Sequence, residues 1–199
     1  MGRLPRTEIL HDHAFLHVIS RSFEGKWVFQ DHEDFEQFKR LLQQAKKSHQ
    51  FFIHHYCLMN THFHLALSIS SSFPFIQGMK EIKVGYSKYF NKKYKRTGPL
   101  WRDRFKSLLI ENEGYLYACG LYIENNPVNA GMVEKAEDWP YSSSVYYLLT
   151  KEDSLIDSYD QKSAPEDVNI NDERFFTKGR GIGSELFKLQ LEEKSLPVP

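Results

Sequence analysis

Residues 51–69, FFIHHYCLMNTHFHLALSI, set two β-favouring runs on either side of Asn60-Thr61. In the second run Phe63, Leu65, Leu67 and Ile69 alternate with His62, His64 and Ala66. A period of two puts alternate residues on opposite faces of a strand. A two-residue gap between such runs is a tight turn. The stretch therefore predicts a hairpin with one apolar face, and the rest of the chain has to cover that face.

The flanking segments fit that demand. AFLHVISRS (14–22) reads as a strand, and EDFEQFKRLLQQAKKSHQ (33–50) puts Phe35, Phe38, Leu41, Leu42 and Ala45 at helical spacing. FPFIQGMKEIKVGYSKYFNKKYK (73–95) reads as a second helix, its apolar side made by Phe75, Ile76, Met79, Ile82, Val84, Tyr86 and Phe90. RFKSLLIEN (104–112) is a fourth strand, and EGYLYACGLYIENN (113–126) is a third helix, stopped by Pro127. The order β-α-β-β-α-β followed by a helix predicts an α+β fold: a ferredoxin-like split βαββαβ sheet with helices on one face. The first and third strands then lie side by side in its centre. DWPYSSSVYYLL reads as a short helical appendage. Residues 151–176 are acidic and poor in apolar side chains, which predicts a loop or partial disorder, and GSELFKLQLEEK (183–194) predicts a last short helix. The expected division is a domain over 1–148 and an acidic carboxy-terminal extension over 149–199.

The chain has equal numbers of acidic and basic residues, 26 each, but they are segregated. Residues 76–110 carry ten Lys/Arg against two Asp/Glu, and residues 111–199 carry eight against seventeen. A neutral total hides a basic middle suited to a polyanion, or to a solvated helix face. Lys80, Lys83, Lys88, Lys92, Lys93, Lys95 and Arg96 are placed to follow phosphates. Tyr86, Tyr89, Tyr94 and Trp101 are interleaved as candidates for base stacking or for the core. Arg102, Arg104 and Lys106 flank the strand that leads into the third helix. No run approaches about 18 apolar residues, so no membrane span is expected. MGRLPRTEILHDH lacks the apolar core of a signal peptide. Cys57 and Cys119 are far apart and form no ligand pair, consistent with reduced thiols and a cytoplasmic location.

His62 and His64 project from one face of their strand, with Cα atoms roughly 6.5–7 Å apart, so two imidazoles can converge on one metal. Two ligands do not close a site, and His-x-His in a strand is also an ordinary structural pattern. Tyr122 and Asn126 are four apart in the third helix and share a face. Asn126 can offer a carbonyl oxygen to a hard cation. Tyr122 is equally compatible with a packing aromatic, and Asn126 with a helix cap. Leu116, Cys119 and Ile123 lie on another face and anchor the helix.

Taken together, HVISRSFEGKWVFQ, YCLMNTHFHLAL, GPLWRDRFKS, YIENNPVNAGMV and WPYSSS resemble the single-tyrosine transposases of the HUH class. That class includes insertion-sequence transposases and the REP-associated tyrosine transposases. The resemblance spans roughly residues 10–148. It departs at Asn60-Thr61, where many relatives have Pro-Asn, and at Ser22, where a glycine is frequent. The resemblance implies a metal-dependent strand transferase that cuts and rejoins single-stranded DNA. Tyr122 matches the nucleophile, His62, His64 and Asn126 match the ligands of Mg²⁺ or Mn²⁺, and a DNA hairpin is the recognition element. Lys83, Lys88, Lys92, Lys93, Lys95, Arg96, Trp101, Arg102, Arg104 and Lys106 are then the DNA contacts, and His17 is a candidate to sit behind the metal ligands. Relatives include dimers that share the tyrosine helix and monomers, and the extension leans toward a monomer. Two other readings fit the same residues: a metal-dependent nuclease in which water attacks, and a non-catalytic hairpin-binding domain.

A free tyrosine has a pKa near 10, so about one in a thousand is phenolate at pH 7. Closing that gap requires roughly 4 kcal/mol. Two neutral imidazoles and a neutral amide leave a divalent cation nearly its full charge, which suits an anionic phosphodiester. The hard amide oxygen favours Mg²⁺ or Mn²⁺, although two imidazoles also accept Zn²⁺.

Overall fold

The computed structural model describes residues 10–166 and 168–193. The signal-peptide question therefore falls partly, over residues 1–9, outside the described residues, and so does Lys194 at the end of the last predicted helix. Strands β1 (Phe15–Arg21), β2 (Phe51–Met59), β3 (His62–Ile69), β4 (Lys106–Ile110) and β5 (Gly181–Ile182) form one sheet in the order β2-β3-β1-β4-β5. The first four pair antiparallel, and β5 joins the β4 edge in parallel. Strands one and three are neighbours at the centre, as the split βαβ order requires.

Helix α1 (His32–His49) begins at Asp31, whose side chain accepts from the Asp34 backbone while Asp34 reaches back in a reciprocal cap. It buries Phe35, Phe38, Leu42 and Ala45 against the sheet. Helix α2 (Ser72–Lys93) lies beside it and buries Phe75, Met79, Ile82, Tyr86 and Phe90. Val84, counted with that apolar side from its spacing, is instead exposed. Both crossover helices cover the face onto which Leu16, Val18, Phe63, Leu65 and Leu67 project.

Helix α3 (Glu113–Glu124) packs on the opposite face, where Leu116, Ala118, Cys119 and Ile123 meet Cys57, Ala66, Leu108 and Ile110. Gly120 permits this close approach: a Cβ there would stand 2.5 Å from the His55 ring on β2. After Asn125 the chain continues as α4 (Asn126–Asn129), then α5 (Ser144–Leu149), α6 (Glu173–Thr177) and α7 (Glu185–Glu193). Between α5 and α6 the described residues form no helix or strand, yet the chain is pinned, which composition did not foretell. Leu155 is buried, the Asp157 amide donates to the Ile53 carbonyl, and the Asp157 carboxylate takes Lys46 Nζ at 2.7 Å. Tyr159 meets His55 Nε2 at 2.8 Å. The acids Asp153 and Asp157 that read as solvating are partners of Lys39 and Lys46. Among the described residues no helix is long and apolar enough to cross a membrane, and both cysteines are buried and free.

Candidate functional site

The site lies on the α3 face, over the centre of the sheet. Antiparallel pairing sets Ile19 opposite His64, Arg21 opposite His62 and His17 opposite Ala66. His17 and His64 are thus diagonal neighbours on one face, within reach of each other's rings. The rings stack with centroids 5.1 Å apart, and His17 Nε2 lies 2.9 Å from His64 Nδ1. The other nitrogen of His17, Nδ1, lies 2.8 Å from the backbone carbonyl of Phe176. His62 and His64 meet with centroids 5.0 Å apart. The Thr61 hydroxyl bonds His62 Nδ1 at 2.9 Å.

The turn that carries the pair is firmly mounted. Thr61 and Asn60 offer their carbonyls to the amides of Ser22, Val28 and Phe29, and Asn60 Nδ2 donates to the Phe29 carbonyl at 3.0 Å. Asn60-Thr61 in place of Pro-Asn therefore keeps a rigid loop.

Burial governs the charge of the histidines. Desolvation pulls His17 down to about 4, against the opposing effect of the bond to the Phe176 carbonyl. It also lowers His62 to about 4, aided by Arg21. His64 is held well below the ordinary histidine value by burial and then by its histidine neighbours. Burial thus favours the neutral form of each ring. His64 Nε2 is buried and has no hydrogen-bond partner among the described residues. An orphaned imidazole nitrogen beside a second imidazole is the kind of donor a cation takes.

Tyr122 stands over these rings. Its centroid is 6.1 Å from both His17 and His64, in edge-on geometry. Asn126 follows one turn on and donates Nδ2 to the carbonyls of Tyr122 and Ile123, at 2.9 and 3.3 Å. Among the described residues no three His, Cys, Asp or Glu side chains are placed to hold a metal. The structure brings together His17, His62, His64, Tyr122 and Asn126.

Sequence reasoning missed Phe176. Its ring stacks on Tyr122 with centroids 4.6 Å apart and planes inclined by 13°. Tyr122 is consequently 3% exposed. Desolvation and then Glu173 push its phenol above the usual tyrosine range, while a hydrogen bond from Asn126 acts the other way. Glu173 also pairs with Arg21 at 3.6 Å, and Lys106 Nζ donates to the Thr177 carbonyl. No periodicity or motif marks α6 as part of a site, because its polar link to the site is a backbone carbonyl.

The basic candidates divide. Lys88, Lys92, Lys95, Arg102 and Arg104 are exposed. Lys93 is not free for phosphate, because Asp31, Glu33 and Asp34 hold it at 2.7 to 3.0 Å. Lys83 donates to the Asp103 carbonyl at 2.6 Å and lies over the Trp101 ring. Trp101 is a core residue that packs on Phe63 and donates Nε1 to the Lys83 carbonyl, rather than a platform for bases. Arg96 leans on Phe90. Tyr86 is buried with its hydroxyl on the Val28 carbonyl, and Tyr89 and Tyr94 bond Asp34. A groove of about 570 Å³ opens beside His62, lined by Arg21, Ser22, Thr61, Arg102 and the 23–25 turn. Ser22 Oγ is buried there without a partner among the described residues.

Comparison with known proteins bears on the fold and the family of the chain. A REP-associated tyrosine transposase of Haemophilus influenzae is 33% identical over 102 residues, a match that takes in 44% of this chain and 55% of that protein. This chain thus spans about half the length of that relative. The solved structure of a REP-associated tyrosine transposase bound to a REP hairpin superposes with a TM-score of 0.60 at 17% identity, covering 81% of this chain and 100% of the other, which establishes the shared fold. The family model described as "Transposase IS200 like" matches residues 11–126, which is more than half of the sequence, and the chain belongs to the IS200-like transposase family.

Proposed function

We propose that the protein is a single-stranded DNA strand transferase that uses Tyr122 as its nucleophile and a divalent cation as its cofactor. The observation that carries the reading is the contact of the Tyr122 ring with His64, whose Nε2 is buried and has no partner among the described residues. His62, His64 and Asn126 would hold Mg²⁺ or Mn²⁺. When bound, such an ion supplies positive charge against the scissile phosphate and stabilises the transition state by several kcal/mol.

The remaining chemistry belongs to the chain. The Tyr122 oxygen forms a bond to phosphorus as the bond from phosphorus to the 3′ oxygen breaks. The phenolic proton leaves and the 3′ oxygen takes one up. A 5′-phosphotyrosine and a free 3′-hydroxyl result. One ester replaces another, so the reverse attack rejoins DNA without an external energy source. Arg21 and Arg102 line the groove beside His62 and are suited to orient the phosphates of a single strand. Lys88, Lys92, Lys95 and Arg104 extend the cationic surface. The relative solved with a REP hairpin makes a hairpin the substrate of choice for assay.

One observation favours a second reading. Tyr122 lies under Phe176, an arrangement that also suits a nuclease in which water attacks and the tyrosine only packs. Cleavage of a labelled hairpin substrate with Mn²⁺, compared between the native chain and Tyr122→Phe, separates the two. Loss of cleavage of at least a thousandfold in the variant, with hairpin binding retained, is expected. Cleavage that persists in Tyr122→Phe would establish water attack instead.

A further inference from the structure

His17 is not itself one of the candidate ligands, yet both of its ring nitrogens are engaged. Nδ1 faces the Phe176 carbonyl at 2.8 Å, and Nε2 faces His64 Nδ1 at 2.9 Å. A carbonyl only accepts, so His17 Nδ1 must carry a proton and donate it. A neutral imidazole has one N–H, so His17 Nε2 is then an acceptor. The bond at 2.9 Å therefore needs a proton on His64 Nδ1, which leaves the lone pair of His64 on Nε2. That is the buried nitrogen with no partner among the described residues. The alternative tautomer of His64 would bury an N–H with nothing to receive it, and would set two lone pairs against each other across the His17 contact.

We infer that His17 is a positioning residue: together with the Phe176 carbonyl it fixes His64 as the Nδ1–H tautomer before any cation arrives. A hydrogen bond from the far nitrogen orients an imidazole ligand and raises its basicity. Here the orienting group is another histidine, and the polarity of the chain is set by a backbone carbonyl of α6. The carboxy-terminal extension thereby becomes part of the site, because it supplies the one acceptor that cannot change its role. The full burial of His17 and His64 favours the neutral rings that the chain of bonds requires. The role assigned to His64 Nε2 rests on the metal reading above, whereas the tautomer assignment does not.

The direct test is a long-range ¹H–¹⁵N correlation spectrum of the histidine rings in the metal-free, full-length protein at neutral pH. His17 and His64 are both expected as Nδ1–H tautomers. His64 found as Nε2–H, or exchanging between tautomers, would overturn the inference even if metal binding proved intact. Mn²⁺ titration of His17 variants gives a second readout. His17→Gln keeps an amide oxygen able to accept from His64 and is expected to retain affinity within a few fold. His17→Phe removes that acceptor and is expected to lose 10- to 100-fold. Equal losses in the two variants, with equal melting temperatures, would reduce His17 to a packing role. His64→Ala serves as the control for the reading beneath: Mn²⁺ affinity unchanged in that variant would sink the metal site itself rather than the role of His17.

Discussion

At the scale of single residues, the site is a set of neutral groups in a dry place. His17 has no exposed surface, and its folded pKa of about 4 lies below the ordinary value of 6.5. The unfolded chain therefore binds more protons than the native one between those values. The stability contributed by keeping His17 neutral is fully present above pH 6.5 and lost as the pH falls toward 4. By linkage it amounts to about 3 kcal/mol. Urea melts are expected to show a midpoint that drops between pH 7 and pH 4.5, and that drop should shrink in His17→Gln. A midpoint independent of pH over that window would contradict the burial argument. The residues at this scale were unevenly legible in the sequence. His62 and His64 announce themselves by spacing, and Tyr122 and Asn126 by a helical turn. His17 follows from the strand register, which fixes its diagonal neighbour. Trp101 and Lys93 misled, because charge and aromaticity say nothing about which partners a fold provides. Lys93 is surrounded by three carboxylates of the α1 start, and Trp101 is enclosed between α2 and β3.

At the scale of elements, α3 has to hold Tyr122 against the histidines, and its seating depends on Gly120 and Glu124. Glu124 Oε1 receives His55 Nδ1 at 2.8 Å and the Ser143 hydroxyl at 2.7 Å, both buried. Gly120 lets the helix lie flat on the His55 ring. Gly120→Ala is expected to cost about 2 kcal/mol of stability through overpacking. DNA cleavage should fall further than hairpin binding, as Tyr122 shifts from its place. Binding and cleavage reduced in parallel would show that α3 seating has no special link to the chemistry. Helix α6 acts on the same tyrosine from above. Phe176→Ala removes the stacked ring but keeps the backbone carbonyl that bonds His17. It is expected to lower stability by roughly 3 kcal/mol and to raise the rate at which a phenol-directed reagent modifies Tyr122 by several fold. Unchanged modification would mean that the ring does not limit access. The hairpin, both crossover helices and α3 were legible because each carries its own periodicity. Strand β5 was not, since two residues, Gly181 and Ile182, give no pattern and pair only because β4 leaves an open edge. The pinned course of 151–159 was hidden for a related reason: its acids look solvated until their lysine partners on α1 are in view.

At the scale of the whole molecule, a neutral chain presents a cationic region. Lys88, Lys92, Lys95, Arg102 and Arg104 remain exposed, whereas Lys83 and Lys93 are spent on the protein's own oxygens. Each phosphate contact adds about 0.7 to 0.9 to the slope of log affinity against log salt. The double variant Lys92→Gln/Lys95→Gln is expected to reduce that slope for hairpin DNA by between about one and two. Lys93→Gln should leave the slope unchanged and lower the melting temperature instead, since it strips three carboxylates of their cation. The reverse pattern would place the nucleic acid on the α1–α2 seam. The segregation of charge was visible in the sequence, but which cations stay free was not, because pairing depends on where distant carboxylates land. Membership of the IS200-like family, the shared fold and the histidine–tyrosine constellation converge on one central claim, a covalent bond between Tyr122 and DNA. The most direct measurement is mass spectrometry of the protein after incubation with hairpin-bearing single-stranded DNA and Mn²⁺, followed by nuclease trimming and proteolysis. The account predicts a nucleotide attached through its 5′-phosphate to the peptide that contains Tyr122, absent when the metal is chelated. Cleaved DNA with a free 5′-phosphate and an unmodified Tyr122 peptide would contradict it.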